Sequence, residues 1–459
     1  MPEVLTIGSD LTPSKLLPLS LRHRVAVLTP PFVRRAGVSL VVRFAGLAIQ
    51  FASSILIARM LGVEQFGVYS YAFTWAMTLG ILLSLGMGRV GVRELPRYLT
   101  HGLHARILGY FVATIGVTVL TAILCLLVLW AGHGFIETPL DWRLIVAAAL
   151  AQALMLALAA VMAGFDRVVQ SQTLESFLRP ALFLAALGAL VMLGTDPGAT
   201  EIFVLSILVM LPILAAMTWT IRGLFVTHLP QDGWPRPEFT MRPWLGAALP
   251  LLVVGFSNMM QANLDVLMVG ALAEAADVGR YRTASRGVDL VLIVNAITFH
   301  VLAPMLSRAI AQDAPDEAQK LISQSVLMSC TMGLGLCLAL GLGAELFLGL
   351  FGEGFVPAAG ALRILVAAQV VAILCGPVDM VLVMLGKERL VLWVNLVSLA
   401  TNFTLNLVLV PVYGIEGAAC ATFVAVLVVR IALLVIVRRQ SVYDPSLRGA
   451  VRALKHRRE

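Results

Sequence analysis

Charged residues are scarce in this chain. Asp, Glu, Lys and Arg make up 13% of its 459 residues, about half the share of a soluble domain, while 59% are hydrophobic and mean hydropathy is +0.93. A soluble protein is thereby excluded. Strict apolar–polar alternation is also missing, which excludes an outer-membrane barrel, whose strands repeat every two residues. No phosphate-cradling loop precedes Gly386 and Lys387, since Val381 stands where that motif needs glycine, so the chain is not expected to hydrolyse ATP. Long outer loops are lacking, none exceeding about a dozen residues, which leaves no room for the carboxylate-bearing extramembrane domain of a membrane enzyme; no enzyme is expected. Of seven histidines only His300 falls in an apolar run. The five cysteines, Cys125, Cys330, Cys337, Cys375 and Cys420, sit in apolar runs with no pair at metal-ligand spacing, and no metal or cofactor is expected. The first 36 residues lack the apolar core of a signal peptide and read as a retained arm.

What the chain does have is about twelve apolar runs, each near the roughly 20 residues that cross a bilayer. They lie at about 37–59, 67–88, 107–131, 144–164, 174–194, 202–221, 245–271, 287–307, 322–343, 360–385, 390–411 and 417–437. An even number puts both termini on one side. Of 33 Lys and Arg, 25 fall on that side, Arg167 and Arg179 in one short loop among them, and 5 on the other: Arg59, Arg143, Arg280, Arg282 and Arg286. Retention of basic loops in the cytoplasm predicts cytoplasmic termini. The net charge of +7 is scattered over these loops, so it is topological and nucleic acid is not an expected partner.

The longest connection, with Pro230, Pro235, Pro237 and Pro243, divides the runs six and six. The expected organisation is a cytoplasmic arm over 1–36, a six-helix bundle over 37–222, a linker over 223–244, a second six-helix bundle over 245–437 and a basic tail over 438–459. Sliding the first half by 212 residues superposes Gly67 on Gly279, Tyr69 on Tyr281 and Ala72 on Ala284; a slide of 222 superposes Met162 on Met384, Gly164 on Gly386 and Arg167 on Arg389. Matched segments run the same way, so the repeat is parallel, an architecture of transporters.

Polar residues within the runs are the functional candidates, because charge in hydrocarbon faces either a partner or a watered cavity. Arg43, Gln50 and Ser54 share one face of the first run, with Arg43 either lining an anion-accepting cavity or snorkelling to the interface. The seventh carries Asn258, Gln261, Asn263 and Asp265; Asp265 either pairs with an arginine, binds a proton or sodium ion, or makes a structural contact. Arg282, Arg286 and Asp289 line up at the start of the eighth, and Asn395, Asn402 and Asn406 form a stripe on the eleventh. Gly376, Pro377 and Asp379 mark a bend in the tenth.

Several segments resemble a family. IARMLGVEQFGVYSYA (57–72) followed by RVGVRELPRYL (89–99), FHVLAPMLSRAI (299–310), LFGEGFVPAAGALRIL (350–365), MLGKERL (384–390) and the turn from Tyr413 to Ala419 look like bacterial oligosaccharide flippases. These form the polysaccharide-transporter branch of a superfamily shared with multidrug exporters and lipid II flippases. The resemblance implies an all-α integral membrane fold, a V-shaped pair of six-helix bundles around a central cavity in the bacterial inner membrane. It implies alternating access that carries an undecaprenyl-diphosphate-linked oligosaccharide to the outer leaflet. Implied cavity residues are Arg43, Gln50, Asn263, Asp265, Arg282 and Arg286; implied partners are that lipid-linked substrate, membrane lipids, a polysaccharide polymerase and a chain-length regulator. Alternatives are a cation-coupled multidrug exporter of the same fold, which would favour acidic over basic cavity residues, a major-facilitator transporter, whose loop pattern RVGVRELPR does not fit, and a membrane enzyme of polysaccharide assembly.

Overall fold

A computed structural model describes residues 30–131, 140–228 and 235–449, with side chains from Gly37 onward except 294–301 and 304. The expected arm up to residue 29, the tail beyond 449 and the His300 side chain lie outside the described residues. The elements are α1 (Pro30–Leu83), α2 (Met87–Thr100), α3 (His104–Ala131), α4 (Trp142–Gly164), α5 (Val168–Gln172), α6 (Arg179–Met192), α7 (Ala199–His228), α8 (Met241–Leu272), α9 (Ala275–Ala311), α10 (Pro315–Ser329), α11 (Gly335–Leu342), α12 (Ala344–Gly349), α13 (Ala359–Cys375), α14 (Val378–Met384) and α15 (Glu388–Gln440).

Nine helices among the described residues are long and apolar enough to cross a bilayer. Two of these, 47 and 53 residues, are twice the required length and are broken internally by non-helical Gly62 and Gly414, both at positive φ. Each is therefore long enough for two crossings, and with the 37-residue α9 the described residues have the helix lengths for twelve. The fold is all-α, two six-helix bundles around a central cavity.

At one end the bundles meet on glycine. A Cβ on Gly67 would overlap the Ala275 carbonyl and come within 3.0 Å of Gly279 N; a Cβ on Gly279 would overlap the Val63 carbonyl and come within 3.2 Å of Gly67 N. Val63 and Ala275, like Gly67 and Gly279, are 212 residues apart, so repeat-related positions pack on each other across a local two-fold axis. Around this seal Phe66 meets Phe355 edge to face, Arg59 Nε donates to the Leu350 carbonyl at 2.8 Å, and Arg280 Nε donates to that of Gly354 at 3.4 Å. One buried core runs through the contact, joining Ile57, Phe66 and Phe203 of the first half to Val266, Tyr281 and Phe355 of the second.

The opposite end, which carries Arg89, Arg97 and Arg308, is called the basic end here. There the expected linker begins as the last turn of α7, to His228, and its far side docks on the first half: Arg106 pairs with Glu238 at 2.8 Å and Trp244 donates to the Tyr98 hydroxyl at 2.9 Å. Chain beyond α15 folds back as a strap over 441–449. Asp444 N donates to Gln319 Oε1 at 2.9 Å, Gln319 Nε2 returns a bond to the Asp444 carbonyl at 3.0 Å, and the Pro445 carbonyl occupies the space where a Gly376 side chain would lie.

Candidate functional site

Below the glycine seal lies a cavity walled by α1, α6, α7 and α9. Gln50, Ser53, Ser54, Tyr69 and Ser70 come from α1, Arg179 and Phe183 from α6, Ser206 from α7, and Arg282 and Arg286 from α9. At 1.5 Å per residue the two α9 arginines lie about 4.5 and 10.5 Å below Gly279. Gln50 and Arg286 also line a second cleft between α1 and α9, which runs toward the basic end past Asp289, Phe44 and Arg43. The two spaces adjoin at Gln50 and Arg286, which line both.

Arg179 corrects the sequence reading, which put it in a cytoplasmic loop. The helix starts at Val168 rather than near 174 and passes through one π-turn, Thr173–Leu178. Pro180 explains the turn: it has no N–H to give the Ser176 carbonyl, and its ring would clash with that oxygen. The Arg179 N–H bonds instead to the Leu174 carbonyl, five residues back. The freed Ser176 carbonyl approaches α1 at Gly46, where a Cβ would overlap it. The extra residue turns Arg179 into the cavity, where its Nη1 donates to Gln152 Oε1 at 2.9 Å. The signal available in the sequence was an arginine flanked by proline inside an apolar run, one turn after Glu175.

The expected residues divide. Gln50, Arg282 and Arg286 line the cavity, and Arg43 lines the outer part of the cleft with an exposed side chain. Asn263 stands behind this wall, its Oδ1 accepting from Arg282 Nη1 at 3.3 Å. Asp265 lies apart from it. Buried at 8% exposure, it accepts from Asn406 Nδ2 at 2.9 Å and from the Thr422 hydroxyl at 2.7 Å, and among the described residues it makes no ion pair with an arginine. Asn406 Nδ2 also bonds Asn402 Oδ1 at 2.7 Å, while Asn406 Oδ1 is buried without a partner. Of the remaining stripe on α8, Gln261 reaches the Asn395 carbonyl at 3.3 Å, so it and Asp265 both face α15. Arg430 pairs with Asp379 at 2.6 Å. Arg363 pairs with Glu345 at 3.0 Å.

Electrostatically the cavity is built for an anion. Three guanidiniums line one space, and the Tyr69 ring lies within electrostatic reach of all three. Arg286 pairs with Asp289 at 3.2 Å, yet its Nε is buried with no partner. Arg179 and Arg282 have no carboxylate within 4.0 Å among the described residues. Cations left unpaired in a low-dielectric wall favour a ligand that brings negative charge and several acceptor oxygens. Among the described residues no cluster of three His, Cys, Asp or Glu is placed to hold a metal ion.

The profile of a family described as "Polysaccharide biosynthesis protein" matches residues 32–310. Over 160 residues, 35% of this chain and 34% of the relative, the sequence is 24% identical to the probable low-salt glycan biosynthesis flippase Agl15 of Haloferax volcanii, so the match spans about a third of that protein. Among solved structures, the chain superposes on an inward-facing multidrug resistance MATE family transporter of the MOP superfamily with a TM-score of 0.65 at 12% identity, covering 91% of this chain and 99% of that one. It superposes on the lipid II flippase MurJ, in an inward closed conformation, with a TM-score of 0.64 at 13% identity, covering 90% of each. At these identities the likeness is one of fold.

Proposed function

The chain belongs to the polysaccharide biosynthesis protein family, and from that premise we propose that it is a flippase that moves a lipid-linked oligosaccharide across the bacterial inner membrane, with its basic end in the cytoplasm. The observation that carries this reading is the arginine-lined cavity adjoining a cleft between α1 and α9. A polyprenyl-diphosphate sugar has a strongly anionic joint between a long apolar tail and a hydrated headgroup. In this reading the headgroup passes Arg43 and Gln50 to reach Arg286 and Arg282, whose fork-shaped guanidiniums match phosphate oxygens, while the tail stays in lipid beside the cleft. Parting of the seal at Gly67 and Gly279 then opens the same cavity to the other side. Placing the basic end inward agrees with the loop bias; once Arg179, Arg282 and Arg286 are counted as cavity residues, 24 basic residues stand against 3.

Asp265 supports ion coupling in the same reading. A buried carboxylate ringed by amide and hydroxyl groups, with one acceptor oxygen left over, suits a proton or a sodium ion. A multidrug exporter would place such a carboxylate in the substrate cavity, whereas this cavity is lined by arginines.

The test is the fate of the lipid-linked oligosaccharide in cells lacking the protein. Accumulation on the cytoplasmic leaflet, reversed by the wild-type gene and not by an Arg282→Ala, Arg286→Ala double variant expressed at equal level, is the expected result. Normal surface glycan in the deleted strain, or full rescue by the double variant, would overturn the reading.

A further inference from the structure

Two arginines of the cavity stand one turn apart on a single wall, Arg282 and Arg286 of α9, and the third, Arg179, comes from α6 in the other half. Their pairing is unequal. Arg286 pairs with Asp289 at 3.2 Å, while among the described residues Arg282 bonds the amide oxygen of Asn263 and Arg179 that of Gln152, with Asp289 and Glu175 within electrostatic reach of them but outside ion-pair distance. Gln152, itself 4% exposed, occupies one of the five N–H donors of the Arg179 guanidinium and fixes its position without neutralising it. The two cations of the cavity that lack an ion pair among the described residues therefore sit on opposite halves. A diphosphate that joins a lipid to a sugar is a double ester, with one negative charge on each phosphate. Two cations on two walls, neither held in an ion pair among the described residues, match that charge count and its spread.

We propose that Arg179 is a phosphate-binding and specificity-determining residue, which with Arg282 makes the cavity select a diphosphate over a monophosphate and ties the ligand to both bundles at once. This rests on the cavity being the headgroup site. The π-turn has a defined role in it: without the extra residue inserted ahead of Pro180, Arg179 would be rotated by about 100° on its helix and face away. The wall of α9 alone carries one unpaired guanidinium, enough for a single phosphate.

The test measures binding of two probes to the purified full-length protein in detergent, farnesyl glucosyl diphosphate and farnesyl glucosyl phosphate. Wild type is expected to prefer the diphosphate by at least about tenfold. Arg179→Gln is expected to weaken the diphosphate about 10- to 100-fold, the range for losing hydrogen bonds to a charged group, and to leave the monophosphate within about threefold. Arg282→Ala should weaken both probes, and Arg167→Ala, an exposed cation near the start of the same helix, neither. Should Arg179→Gln fail to fold, Arg179→Lys keeps the charge and loses the fork, and the preference should fall by severalfold. An unchanged preference in a folded Arg179 variant overturns the proposal. If Arg282→Ala still weakens both probes in that case, the headgroup reading of the cavity stands; if no arginine variant alters either probe, both fail.

Discussion

Asp265, Asn402 and Asn406 illustrate what a residue's type reveals and what it hides. Polar spacing marked all three, but α8 and α15 are separated by more than a hundred residues, and nothing local says that their side chains meet. Burial makes the contact consequential, because the carboxylate oxygens have no water to fall back on and depend on Asn406 and Thr422. Asp265→Asn preserves shape and removes charge. In proteoliposomes it is expected to slow transport at least about tenfold and to flatten its dependence on sodium or pH, because an amide cannot take up a cation as a carboxylate does. If that dependence is intact in a folded Asp265→Asn protein, the cluster is a structural contact between helices. Gln50, Arg282 and Arg286 were singled out in the sequence, since a polar side chain inside or at the edge of an apolar run is informative by itself. Arg179 was not, because its place depends on a one-residue insertion that proline forces and only the helix register expresses.

At the scale of elements, the helices follow from apolar run length, and their interruptions follow from glycine and proline. Gly62 and Gly414 bend α1 and α15 between crossings, and the pair Gly376, Pro377 separates α13 from α14. The last of these has a tertiary reason as well: Gly376 has φ of 72° and the strap carbonyl of Pro445 fills the place of its missing side chain. Gly376→Val would add both backbone strain and a collision, for a destabilisation of about 1–3 kcal/mol or more, read as a lower melting temperature in detergent. Shortening the chain at 440 on top of that substitution should recover part of the loss by removing the collision. An undiminished melting temperature in Gly376→Val would show that the strap is not seated. Hydropathy could not anticipate the strap, because Ser441–Gly449 reads as a polar tail and its docking depends on Gln319 in a distant helix.

For the molecule as a whole, the seal around Gly67 and Gly279 decides which side of the cavity is closed. Because the two glycines pack backbone to backbone, a side chain at either has nowhere to go but between the bundles. Gly67→Val is therefore expected to wedge the far end apart and raise access to the cavity from that side. With the five native cysteines replaced, a cysteine at Ser206 should be labelled faster by a membrane-impermeant maleimide applied from the far side in the Gly67→Val background. No increase in rate at equal protein level would mean that another contact, such as that of Arg59 with the Leu350 carbonyl, holds the halves together.

Composition alone determined that the chain lives in a bilayer, and run lengths with basic loops determined how often it crosses, since the cost of unpaired backbone and charge in hydrocarbon acts on every segment independently. The internal repeat further determined which positions correspond. Only the tertiary structure decided that corresponding glycines touch, that Arg179 joins Arg282 and Arg286 around one cavity, and that Asp265 turns away from it into the second bundle. Those outcomes depend on helix register and on pairs of helices far apart in sequence, and in a uniformly apolar chain the faces that will meet carry little hydrophobic pattern to set them apart from the faces that meet lipid.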